Sequence, residues 1–215
     1  MMLFKSKLRS LRVESDIAIE AHKICQEWLT NMDEYIKRNF YTLTCNNIRE
    51  VYFSLFGELK RWRSNSSGFT GFSEFLIFRI LYHMIGEKFE AIETGDIGTD
   101  PIIFRSENYE IGQNVKMVLD GTKKFPDIYV KRKGKLISII QVKIVTGGGE
   151  PQIAKEVETF RLFRNSYPDI KGLFIVLIKD TFTEHKNQRL TNAGYRTIVL
   201  QDNHKLISDV LKEVI

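Results

Sequence analysis

Apolar residues recur at helical spacing along the first third of the chain. Ile17, Ala21, Ile24, Cys25, Trp28, Leu29, Met32 and Ile36 mark an amphipathic helix over residues 14–38, and Ile48, Val51, Tyr52, Leu55, Phe56, Leu59 and Trp62 mark a second. The stretch Arg61-Trp62-Arg63-Ser64-Asn65-Ser66-Ser67-Gly68 reads as a helix end and a polar loop, which divides a helical region, 1–68, from the remainder, 69–215. A strongly apolar helix follows around Phe72 to Leu81 and carries one carboxylate, Glu74. From there β-branched and aromatic runs at 101–105, 109–119, 126–131, 136–145, 172–178 and 196–201 read as strands. A helical pattern at 151–165, a polar segment at 181–193 and a short closing helix on Leu206, Ile207, Val210, Leu211 and Val214 complete the chain. This order predicts an α/β fold: a mixed central sheet flanked by helices, with a helical amino-terminal extension.

The most informative segment is the hairpin formed by residues 126–131 and 136–145. If its loop is odd-numbered and centred on Gly134, Asp127 faces Gln141 and Tyr129 faces Ile139; an even-numbered loop turns Asp127 away. The period of two along a strand then puts Gln141 and Lys143 on the face of Asp127 and sends Ile140, Val142 and Ile144 to the other. A carboxylate, an amide oxygen and an ammonium so placed suit phosphodiester cleavage. Mg²⁺ takes oxygen ligands and keeps several waters, so Asp127, Gln141 and the backbone carbonyl of Val142 suffice as protein ligands, with Mn²⁺ as a substitute. A bound metal acidifies water and neutralises developing charge, while Lys143 is placed to orient the attacking water, to stabilise negative charge, or both.

Pro126-Asp127 and Gln141-Val142-Lys143 resemble the two motif elements of the PD-(D/E)XK nuclease superfamily, which includes restriction endonucleases and Holliday-junction resolvases. The resemblance implies a restriction endonuclease-like core over roughly residues 70–200, Mg²⁺-dependent DNA cleavage, and a glutamate from the helix preceding the sheet. Glu74 is the candidate for that role, as metal ligand or partner of Lys143; the other reading makes it a carboxylate complementing the helix dipole. Gln141 departs from the usual carboxylate at its position, keeping an oxygen donor and losing a charge. The expected activity is that of a DNA endonuclease, with RNA left open; the alternative is a nuclease-fold protein that binds DNA structure or a partner with little or no cleavage.

Charge sharpens this picture. The chain carries a net +5, and residues 116–143 carry +6 while residues 86–110 carry −5. Lys123, Lys124, Lys131, Arg132, Lys133 and Lys135 are therefore candidate phosphate contacts. The glycine run 147–149 lacks the Gly-Lys-Ser/Thr ending of a nucleotide-binding loop, so no nucleotide cofactor is expected; instead it lets Gln152 and Lys155 approach DNA. Cys25 and Cys45 have no CxxC spacing and His22, His83, His185 and His204 are isolated, which argues against a zinc site. No apolar run reaches membrane-spanning length and no signal peptide is evident, so an intracellular, cytoplasmic protein is expected. Because one site cuts one strand, a homodimer through the amino-terminal helices is expected on duplex DNA.

Overall fold

The computed structural model describes residue 27 and residues 30–60, 70–92, 102–146 and 149–215. Most of the first expected helix, the loop 61–68 and Gly147-Gly148 lie outside them. Two helices begin the described chain, α1 (30–39) and α2 (Cys45–Lys60), followed by α3 (Thr70–Ile85). Then come β1 (Glu90–Ile92), β2 (Ile102–Arg105), β3 (Tyr109–Gln113), β4 (Met117–Leu119), β5 (Thr122–Lys124), β6 (Ile128–Arg132) and β7 (Lys135–Lys143). The remainder is α4 (Gly149–Ser166), β8 (Lys171–Val176), α5 (Glu184–Ala193), β9 (Tyr195–Val199) and α6 (Ile207–Lys212).

Seven strands form one mixed sheet in the order β1-β2-β3-β6-β7-β8-β9, antiparallel up to β7 and parallel from β7 to β9. The expected fold class, α/β with a mixed central sheet and flanking helices, is the one observed. Parallel neighbours need crossovers, and α4 and α5 supply them. Both cover one face of the sheet, packing Ile153, Val157, Phe160 and Leu190 against Tyr129, Ile139, Phe174, Val176 and Tyr195. The other face, with Ile111, Val130, Ile140, Val142, Leu173 and Ile175, is covered by residues of α1, α2, α3 and α6 in one continuous core. Burial on both faces explains why β7 reads as an almost unbroken apolar run.

The helical region docks on this sheet. Met32, Ile36, Leu43, Ile48 and Tyr52 belong to its core, and Thr44 pairs with Leu206 while the N–H of Ile207 donates to the carbonyl of Leu43 at 2.9 Å. Asp33 of α1 receives Arg79 of α3 through two hydrogen bonds of 2.7 and 2.6 Å. Burial pushes the Asp33 carboxyl up, but the bonds from His83 and Arg79 outweigh it and hold its pKa well below the usual range.

Three local features depart from expectation. Residues 109–119 are not one strand: Asn114 adopts a left-handed conformation (φ 54°) and turns the chain out of the sheet into a separate β4–β5 hairpin. The polar segment 181–193 contains a helix, α5, capped by the Thr183 hydroxyl and ended by left-handed Gly194; only Lys186, Leu190 and Ala193 are buried, too sparse a pattern for periodicity to detect. Finally, the turn joining β6 to β7 holds two residues, Lys133 and Gly134, both with positive φ as a type I′ hairpin requires. Parity is restored by a bulge: Lys131 pairs with Leu136 and Val130 with Ser138, leaving Ile137 unmatched. Tyr129 therefore faces Ile139 and Ile128 faces Ile140, so Asp127, one residue earlier, comes opposite Gln141.

Candidate catalytic site

The bulge brings the three hairpin groups together where β6 begins and β7 ends. Asp127 is 8% exposed and Gln141 2%. Asp127 Oδ2 accepts the Val142 N–H at 2.7 Å and the Lys143 ammonium at 3.0 Å. The terminal amide of Gln141 lies against both carboxylate oxygens; with its NH₂ turned toward them it donates at 3.0 and 2.8 Å. Both backbone polar groups of a strand residue point to the same side, so the Val142 carbonyl follows its N–H toward the open edge beyond the start of β6. The Lys143 carbonyl points the other way, to the Leu177 N–H at 2.9 Å.

A residue that the sequence reading missed completes this cluster. Glu156, on the inner face of α4, is 9% exposed and places Oε1 3.4 Å from Lys143 Nζ. Its carboxyl pKa is raised by burial and, against the pull of Lys143, by the charge of Asp127. Burial alone would lower the Lys143 pKa, but Asp127 and Glu156 overcompensate and raise it. Lys143 is thus an ammonium at neutral pH, suited to donating hydrogen bonds and stabilising negative charge rather than to taking a proton. No signal in the sequence singles out Glu156: it is the eighth residue of α4, one helical turn after Gln152, and only the crossover from β7 turns it inward.

Glu74 approaches from the other side of the sheet. It is 9% exposed, lies beyond the first turn of α3, and accepts Asn114 Nδ2 at 2.9 Å and Gln113 Nε2 at 3.4 Å. Its burial, and the nearby Asp127 charge, raise its pKa to about 7. The dipole reading of Glu74 is therefore corrected: a carboxylate serving the helix end has no reason to be buried against side chains of β3 and its exit.

The remaining candidates divide by position. Lys123 and Lys124 lie on β5, which leads directly into Asp127. Lys155 is exposed on α4, and Gln152 is half-buried on the same helix, its Oε1 lacking a hydrogen-bond partner. Lys131, Arg132, Lys133 and Lys135 are at the far end of the hairpin, about 26 Å from Lys143 at 3.3 Å per strand residue. Lys131 is bound to Glu110 at 2.8 Å and Lys135 to Asp169 at 2.9 Å, while Arg132 lies over the Tyr109 ring. The structure does not bring these four to the Asp127 cluster.

As a cation site, the donor set is oxygen-rich and lean. Among the described residues no three His, Cys, Asp or Glu side chains form a ready-made metal cluster. Asp127, the Gln141 amide oxygen and the Val142 carbonyl nevertheless suit Mg²⁺, which needs only one or two carboxylates, and adjacent ligands of an octahedron with 2.0–2.1 Å bonds stand about 2.9 Å apart. The Gln141 amide and the Asp127 carboxylate are at that separation. Asp127 and Glu156 stand against the Lys143 ammonium, and burial together with the Asp127 charge raises the pKa of Glu156 and of Glu74, so a divalent cation here would favour their ionised forms. Comparisons with protein-family models, curated proteins and solved structures find no match to this chain. No helix among the described residues is long and apolar enough to cross a membrane.

Proposed function

We propose that this chain is a Mg²⁺-dependent endonuclease of the PD-(D/E)XK type that hydrolyses DNA phosphodiester bonds. The observation that carries the reading is the convergence of Asp127, Gln141 and Lys143 on one face at the open end of β7. Asp127, the Gln141 amide oxygen and the Val142 carbonyl would hold the metal, with Glu74 assisting; when bound, the metal supplies an acidified water and charge neutralisation. Lys143 donates to the attacking water or to a phosphate oxygen as negative charge develops. Glu156 and Asp127 hold its ammonium in position. Cleavage of plasmid, single-stranded and branched DNA under Mg²⁺ or Mn²⁺ titration tests the proposal: metal-dependent turnover that vanishes in Asp127→Asn and Lys143→Ala supports it, and turnover unaffected by Asp127→Asn overturns it.

One observation favours a second reading, a DNA-binding protein that does not cut. With its NH₂ toward Asp127, the Gln141 amide satisfies both carboxylate oxygens without any cation. Equal DNA affinity with and without Mg²⁺, and no product from any substrate, would select this reading. A homodimer through the amino-terminal helices would present one site to each strand of a duplex. Met32 and Ile36, counted for that face, are buried within the chain itself. Light scattering on uncut duplex decides: the dimer requires protein at about twice the 25.1 kDa chain mass.

A further inference from the structure

Between β3 and β6 the chain leaves the main sheet and makes the β4–β5 hairpin, and both feet of that hairpin stand in the candidate site. At one foot, the Asn114 amide donates to Glu74 at 2.9 Å and the Asn114 N–H donates to the Asp127 carbonyl at 3.1 Å. At the other, Phe125-Pro126 runs straight into Asp127. Leu119 is buried against the α4 side of the molecule with Met117 packed beside it. Val118 and its cross-strand partner Lys123 form the outer face. Two apolar side chains are left in solvent, Val118 at 62% and Phe125 at 56% exposure. Lys116, Lys123 and Lys124 accompany them with Asp120 as the single acid of the hairpin, and among the described residues none of the three lysines is in an ion pair. At the distant tip of β6–β7, by contrast, Lys131 and Lys135 are engaged with Glu110 and Asp169.

We infer that the β4–β5 hairpin grips the substrate beside the cut, Phe125 stacking on an unpaired base while Lys116, Lys123 and Lys124 hold phosphates, so that the preferred substrate is DNA with a single-stranded stretch next to the scissile bond. This rests on the nuclease reading and names its substrate class. Free ammonium groups around an exposed ring match a strand that offers phosphates on one side and bare bases on the other. A duplex keeps its bases stacked and gives the ring no face to meet unless a base is first extruded. Phe125 lies two positions before Asp127, a span of at most about 7 Å. With about 3.4 Å of axial rise per nucleotide in a stacked strand, the ring meets a base roughly one to three nucleotides from the scissile phosphate. Contact is transmitted directly, because the same hairpin ends in the site carboxylate and holds Glu74 through Asn114.

Fluorescence anisotropy in EDTA, where no cleavage occurs, tests this with a labelled single strand, its duplex and the RNA of the same sequence, on the full chain and on Phe125→Ala and Phe125→Trp. The single strand should bind tighter than the duplex, and Phe125→Ala should weaken single-strand binding by about 5- to 150-fold, the cost of removing one base–aromatic stack, with duplex binding changed less than about twofold. Phe125→Trp should restore single-strand binding, which a variant that merely unfolded the hairpin would not do. Equal binding by wild type and Phe125→Ala, or equal losses on single strand and duplex, overturns the inference, as does a preference for the RNA. Phe125-dependent binding with no cleavage of any substrate would remove the nuclease reading alone. Cleavage that is indifferent to Phe125 on single strand and duplex would remove the hairpin assignment alone.

Discussion

Lys143 and Glu156 join the central strand to the crossover helix, Nζ to Oε1 at 3.4 Å, while the same ammonium donates to Asp127 at 3.0 Å. The lysine is therefore held from two elements. Glu156→Ala should lower the cleavage rate by roughly 10- to 100-fold, the range for groups that orient a site residue, with DNA affinity unchanged. Glu156→Gln, which keeps a hydrogen-bond acceptor, should recover part of the loss. A Glu156→Ala enzyme of wild-type rate would show that Asp127 alone positions Lys143.

Asp127 also anchors the backbone, since it accepts the Val142 N–H at 2.7 Å. Asp127→Ala should lower stability by about 1–3 kcal/mol by stranding buried donors. Asp127→Asn keeps an acceptor oxygen and should fold nearly as wild type while losing cleavage. Thermal melting beside a cleavage assay separates the two effects; equal melting temperatures for the Ala and Asn variants would contradict this account.

Gln141→Glu would put a second carboxylate within hydrogen-bonding distance of Asp127. Two adjacent carboxylates disfavour each other's ionisation and here share the single Lys143 ammonium, so one pKa rises and the metal-free protein should be less stable at pH 8 than wild type. Mg²⁺ should then raise its melting temperature more than it raises that of wild type. Identical Mg²⁺-induced shifts would remove position 141 from the metal site.

How much of this site was legible is best judged at Gln141 itself. Its partnership with Asp127 follows from the period of two only if the hairpin holds an odd number of unpaired residues. The chain supplies that odd residue at Ile137, in a bulge, rather than in the turn, where Lys133-Gly134 alone make the reversal. Apolar alternation gives no sign of which residue will bulge, because Ile137 and its neighbours are interchangeable in pattern. Glu156 was illegible for a different reason: on a helix, a carboxylate among Lys155 and Glu158 looks like a solvated face until the crossover geometry turns it inward. The basic run 131–135 failed conversely. Charge density along the sequence says nothing about which end of a strand it occupies or whether neighbouring acids have already claimed it. The sheet with helices on both sides was legible because buried β7 and the helical spacing around it report burial directly.

Far from the site, Glu110 gathers three donors: Tyr129 Oη at 2.7 Å, Lys131 Nζ at 2.8 Å and Arg105 Nε at 2.9 Å. Burial would push its carboxyl up, but these bonds dominate and lower its pKa from 4.5 to about 2. A depressed carboxyl contributes stability that is present above pH 4.5 and is lost as pH falls toward 2. Glu110→Gln should therefore be less stable than wild type at neutral pH and lose less stability between pH 5 and pH 3. Parallel urea-midpoint curves for the two proteins across that window would refute the assignment.

Gly112 faces Tyr129 across β3 and β6, and a Cβ built there would stand 2.2 Å from Tyr129 Cε1. Gly112→Ala should cost about 1–3 kcal/mol by overpacking. Trimming the ring should relieve it: Gly112→Ala combined with Tyr129→Leu should lose less than the sum of the single changes. Strict additivity in urea unfolding would show that the ring moves aside freely.

The Asn114 N–H bond to the Asp127 carbonyl closes residues 115–126 into a loop whose ends are already fixed beside the site. Such a loop is a replaceable part. Closure entropy grows only with the logarithm of length, about 0.6 kcal/mol for each doubling, so fingers of different size and composition could be exchanged there without disturbing the seven-stranded sheet. The chemistry and the choice of substrate would then be inherited separately: one in the sheet, the other in a dozen residues that can be swapped while Asp127 stays where it is.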